Sequence, residues 1–194
     1  MKLQDERINP PVNTGRPKRF GVRQSTFIHK HNSCYIAGSY VGWLNNVYKK
    51  PNTPELQKDV EGKLVWLFWI PKAPINTETG AKRVSKAVGC DYELFPLFWV
   101  RFFHWLNAGY MISIPIMTSD GLNDDWKAGK TITGWHGRGR GWHVIEMFKY
   151  EWGYYLLDTR WDEPNPVRKM AKLRLNDPFY YTKDQDGQDN RCAV

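Results

Sequence analysis

Apolar residues recur at spacings of three and four after position 35: Ile36, Ala37, Tyr40, Val41, Leu44, Val47 and Tyr48 would share one face of a helix. Ser33 stands where an N-cap is wanted and Pro51 where a helix must stop. The pattern therefore predicts an amphipathic helix whose first turn carries Cys34. A second helix is predicted from Tyr92 to Asn107, with Pro96 tolerated near its start and Gly109 just past its end. The longest apolar run, Leu64 to Ile70, reads as a buried strand and falls far short of the roughly 20 residues that cross a bilayer.

From residue 110 the period changes to two or to short apolar runs. Tyr110–Ile116, Trp142–Tyr150, Tyr154–Asp158 and Lys172–Leu175 are the predicted strands. The middle two make a hairpin around Glu151–Trp152–Gly153, with the glycine expected to supply the positive φ of a tight turn. Helices first and an antiparallel sheet second predict an α+β fold rather than a doubly wound one.

The 194 residues suit one domain. Residues 1–19 are rich in Pro, Asn, Gly and charge and read as an extended arm; residues 20–182 form the expected domain; residues 183–194 read as a mobile polar tail. The polar start contains no secretory signal, so the expected location is a cytosol or a particle assembled in one. A net charge of +8 favours an anionic neighbour such as a cell-wall polymer or an acidic protein surface. No recognised nucleic-acid module accompanies the basic residues, which weighs against DNA or RNA as the partner. Ten Trp and ten Tyr exceed what a core usually needs, and some are expected to line a cleft or an interface.

Cys34, Cys90 and Cys192 form neither a spaced zinc pair nor an even disulfide framework, so free thiols are expected. Cys34 alone stands at a predicted helix start, where unpaired N–H groups and the dipole favour a thiolate. His143 is expected to open a strand directly after the loop from Gly137 to Gly141, and the hairpin brings Asp158 back to within a residue or two of it. A carboxylate there would accept the Nδ1 proton and leave Nε2 facing the thiol. Arg138 and Arg140 in the glycine-rich loop would wall the cleft and select acidic substrates; a phosphate cradle is the alternative. His29 and His31 lack further ligands, so no metal or other cofactor is expected. His104 reads as a packed aromatic-face residue and Cys90 as structural.

The order Cys34, His143, Asp158, with the cysteine opening a long helix and the other two on successive strands, resembles the papain-like cysteine peptidase superfamily, including its bacteriocin-processing branch. Leu106–Ile114 is similar to the helix, glycine and strand preceding the family histidine. Gly141–Trp142–His143–Val144–Ile145 resembles the Gly-His-Ala-Val segment, and Leu157–Asp158–Thr159–Arg160–Trp161 resembles Asn-Ser-Trp-Gly. The likeness spans roughly residues 20 to 180, with His143 only 109 residues after Cys34, a trimmed version of the family spacing. It implies a papain-like fold and a Cys-His-Asp triad hydrolysing peptide or cell-wall peptide amides. It also implies an oxyanion-hole side chain, Gln24 or Asn32, and substrate contacts at Trp142 and Trp161. A protein of a phage or bacterium that keeps this fold as a non-enzymatic virion docking module is the alternative, with the N-terminal arm as its assembly contact.

Overall fold

The computed structural model describes residues 19–27, 33–67, 77–134, 136–160, 167–171, 173 and 191–194. Helix α1 (Cys34–Trp43) begins where its pattern predicts, yet it is not amphipathic: every residue from Tyr35 to Gly42 is buried. A helix enclosed on all sides must let its neighbours approach closely, and glycines provide for this. A Cβ on Gly38 would come within 2.8 Å of Glu146 Oε1, and a Cβ on Gly80 of the neighbouring helix would lie 2.3 Å from the Tyr35 carbonyl oxygen. Helix α1 continues as a π-helical turn, Leu44–Tyr48, closed by Lys49 at φ 57°. That turn aims two amides outward. Asn45 brackets Phe20, accepting from its N–H and donating to its carbonyl, and Asn46 does the same to Met111.

Helix α2 (Pro54–Leu67) packs on α3 (Thr77–Val88), which packs on α1, and α4 (Val100–Asn107) and α5 (Asp120–Lys127) follow. Six described strands form one antiparallel sheet: β1 (Leu94–Pro96), β2 (Ile112–Ser119), β3 (Gly139–Tyr150), β4 (Gly153–Leu157), β5 (Val167–Met170) and β6 (Arg191–Ala193), in the order β1-β6-β2-β3-β4-β5. The architecture is α+β. Alternation along the strands divides the core into two layers. Val144, Phe148 and Leu157 pack with α1 and α3, whereas Ile112, Ile114, Ile116, Ile145 and Met147 pack with Phe102 and Leu106 of α4 and Leu122 and Trp126 of α5. Helix α5 is capped at both ends: Ser119 Oγ accepts from the Leu122 N–H, and the buried Arg168 guanidinium donates to the Trp126 carbonyl.

Several expectations fail for local reasons. Leu64–Leu67 belong to helix α2, not to a strand, and Phe68 to Ile70 lie outside the described residues. The predicted helix from Tyr92 is a short strand, β1, followed by a turn at Phe98 with φ 63°; helix begins only at Val100. Ser33 occupies the N-cap position but its buried hydroxyl makes no capping bond. Strand β5 lies earlier than Lys172–Leu175, of which Leu173 alone is described and is not in a strand. In the hairpin, Tyr150 pairs with Gly153, so Glu151 and Trp152 form a two-residue turn and Glu151 carries the positive φ of 51°. The largest correction concerns the tail: Arg191–Ala193 are strand β6, inserted between β1 and β2, with Cys192 fully buried. Residues 1–18 and 183–190 of the expected arm and tail lie outside the described residues.

Candidate functional site

The ladder between β3 and β4 ends at the pair Glu146–Leu157. Extended by the same register, residue 158 would face residue 145 and residue 143 would face residue 160. His143 and Asp158 therefore sit diagonally, two positions apart on one face, close enough for a long ring to bridge. The bridge is present: His143 Nε2 lies 2.6 Å from Asp158 Oδ1, with both side chains buried. This corrects the expected tautomer, because Nε2 is engaged by the acid and Nδ1 is left to the thiol. His143 is also not at a strand opening. It lies within β3, opposite Ile116 of β2, and is 6% exposed.

Ile116 belongs to the α4–α5 layer, and its cross-strand partner His143 projects to the same side. Cys34, on α1, packs against the opposite layer. The two meet beside β3, beyond the point where β4 stops. There the thiol and the His143 ring act on one another electrostatically, and the backbone N–H groups of Val144 and Tyr35 also favour the thiolate. The first residue of a helix, the open edge of a strand and an imidazole thus converge on one sulfur.

The electrostatics follow from that convergence. Burial alone would push the Cys34 thiol up, but the hydrogen bond to His143, the imidazolium charge and the two backbone N–H groups hold it below its ordinary range. Burial likewise opposes the imidazolium, yet the Asp158 charge and hydrogen bond, with the thiol, raise His143 to about 9. For Asp158 burial favours the neutral acid; the charges of His143 and Arg160 outweigh it and keep the carboxyl well below the usual carboxylate range. The arrangement favours a thiolate–imidazolium pair resting on an ionised acid.

Arg160 is the participant that reading the sequence missed. Its backbone N–H donates to Asp158 Oδ1 at 2.8 Å, and its Nη2 reaches Asp158 Oδ2 at 3.1 Å and Asn123 Oδ1 of α5 at 3.0 Å. An arginine two residues after a proposed catalytic acid was the available signal.

The other expected site residues divide. Gln24 is buried in a 3-10 turn, Gln24–Thr26, and its N–H donates to the Thr159 carbonyl at 2.7 Å, which docks it beside the acid. Trp142, next to His143, is 40% exposed and so available to a substrate. Arg140 is not a free selector of acids: it lies in β3 and is ion-paired with Asp120 through Nε. Arg138 contributes its carbonyl to the Asp120 N–H, so the glycine-rich segment is laced to the start of α5 rather than forming an open cradle. His104 is exposed and edges against Trp105 instead of being packed in the core. His29, His31, Asn32 and Trp161 lie outside the described residues. No cluster of His, Cys, Asp and Glu able to hold a metal occurs among the described residues. A cavity of about 50 Å³ lies behind α1, lined by Ser39, Gly42, Asn46 and Ser85, away from the thiol. No helix among the described residues is long and apolar enough to cross a membrane.

Compared with protein-family models and with curated proteins, the chain finds no match.

Proposed function

We propose that the protein is a cysteine hydrolase of papain-like type that cleaves peptide or cell-wall peptide amides. The observation that carries this reading is the continuous chain from the Cys34 thiol through the His143 ring to the buried Asp158 carboxylate. His143 holds the proton taken from Cys34. The thiolate adds to the amide carbonyl carbon, the C–N bond breaks as His143 passes that proton to the leaving amine, and a thioester to Cys34 remains. Neutral His143 then takes a proton from water as its oxygen attacks the thioester, and the acid leaves with Cys34 restored. The backbone N–H at the start of α1 and the side chain of Gln24 are the donors proposed for the developing oxyanion. Trp142 offers an apolar face to the substrate beside the scissile bond.

An epoxide or iodoacetamide probe followed by peptide mapping tests the nucleophile, and turnover of a peptide library tests the reaction. The expected outcome is modification at Cys34 and complete loss of amide hydrolysis in Cys34→Ala. Undiminished hydrolysis by that variant would remove Cys34 from the mechanism.

A second reading, as an assembly module of a virion, draws on the exposed aromatic and apolar side chains far from the triad: Trp152 is 100% exposed at the β3–β4 turn, and Trp99 and Val100 are 65% and 84% exposed before and at the start of α4.

A further inference from the structure

Asp158 divides its two oxygens between two cationic partners. Oδ1 serves His143 Nε2 and the Arg160 backbone N–H; Oδ2 serves Arg160 Nη2. The guanidinium is itself anchored by Asn123 of α5, so its position is set from outside the hairpin. An amide at position 158 could still offer its oxygen to the imidazole N–H. Its NH2 would then occupy the place of Oδ2 and face the Arg160 Nη2, donor against donor.

We infer that Arg160 is a positioning residue that makes a carboxylate, rather than an amide, obligatory as the acid behind His143. The inference rests on the Cys34–His143–Asp158 hydrolase reading and extends it to the partner of the acid. Two consequences separate it from ordinary scaffolding. The guanidinium offsets part of the acid's charge, so it limits how strongly the imidazolium is held. Once the acid is lost, the same guanidinium opposes the imidazolium outright. The charged and titratable groups acting on these atoms are Asp158 and Cys34 on His143, His143 on Cys34, and His143 and Arg160 on Asp158.

The test is a cycle of Asp158→Asn, Arg160→Met and the double variant, with Arg160→Lys as the conservative control. Each is read by the rate of Cys34 alkylation with iodoacetamide at pH 7 and by the NMR titration midpoint of the His143 ring. Asp158→Asn should lower the alkylation rate by about tenfold or more, the equivalent of one or more pKa units in the ion pair. Adding Arg160→Met should restore the rate severalfold, an outcome no loss of packing produces. Arg160→Met alone should raise the His143 midpoint by roughly half a unit, since the charge of Asp158 is then no longer offset by the guanidinium, while Arg160→Lys should leave it near wild type. A double variant no faster than Asp158→Asn, or a midpoint unmoved by Arg160→Met, would overturn the inference while the hydrolase reading stands. A wild-type Cys34 that alkylates no faster than an ordinary thiol would overturn both.

Discussion

Glu146 lies directly under Gly42: a Cβ on that glycine would stand 3.3 Å from Glu146 Oε2, so the absence of a side chain on α1 is what makes room for the carboxyl. Oε1 accepts a 2.6 Å hydrogen bond from Ser113 Oγ, Oε2 has no hydrogen-bond partner among the described residues, and the residue is fully buried. Burial pushes this carboxyl up to about 8, against a weaker opposing pull from Ser113. A raised carboxyl binds its proton more tightly in the folded state than in the unfolded one. Its contribution to stability is complete below the ordinary value of 4.5 and is lost as pH rises through about 8. Urea unfolding of wild type and Glu146→Gln across this window should show a difference that changes by up to about 1.4 kcal/mol per pH unit. Identical pH slopes for the two proteins would mean that Glu146 is ionised in the fold.

The three cysteines should separate by reactivity. Cys34 is held below its ordinary range, whereas burial pushes Cys90 up and pushes Cys192 up further, with Glu146 adding to the latter. Alkylation by iodoacetamide near pH 6.5, resolved by peptide mapping, should proceed in the order Cys34, Cys90, Cys192. Near-equal rates in the native protein would contradict an activated thiol at the α1 start.

Two helical glycines should respond oppositely to alanine. Gly80→Ala would drive a methyl to 2.3 Å from the Tyr35 carbonyl, backbone that cannot swing away, and should destabilise by about 1–3 kcal/mol while displacing the helix that carries Cys34. Gly62, on the exposed side of α2, has nothing within 4 Å of the new methyl. Gly62→Ala should therefore stabilise by about 0.5–1 kcal/mol. Thermal unfolding of both variants checks the pair, and equal shifts would contradict the close α1–α3 crossing.

Strand β6 makes Cys192 a core position. Cys192→Asp would bury a charge between β1 and β2 and should cost about 3 kcal/mol or more. The same change in a loose tail would stay within about 0.5 kcal/mol. Denaturant midpoints distinguish the two directly.

Much of the site was legible from local pattern. Cys34 does open a helix, because the residues that follow it are apolar at helical spacing, and the helical run closes at Lys49, two residues before Pro51. The period-two runs around residues 142–157 are a hairpin, and its short turn alone brings Asp158 to His143. These are properties of neighbours along the chain, and the sequence by itself determined them.

What depended on residues distant in the chain could be decided only by the tertiary structure. Whether α1 would be a surface helix or an enclosed one turned on Gly38 and Gly42 meeting Glu146 and on Gly80 meeting Tyr35. The polar tail became a central strand because β1 and β2 leave a vacant place between them, where backbone pairing and the burial of Cys192 outweigh local composition. Which ring nitrogen faces the thiol followed from the diagonal offset of His143 and Asp158 past the end of β4. Arg160 is anchored by Asn123, a residue 37 positions away on helix α5. Periodicity records which face of an element is apolar; it carries no information about what that face meets.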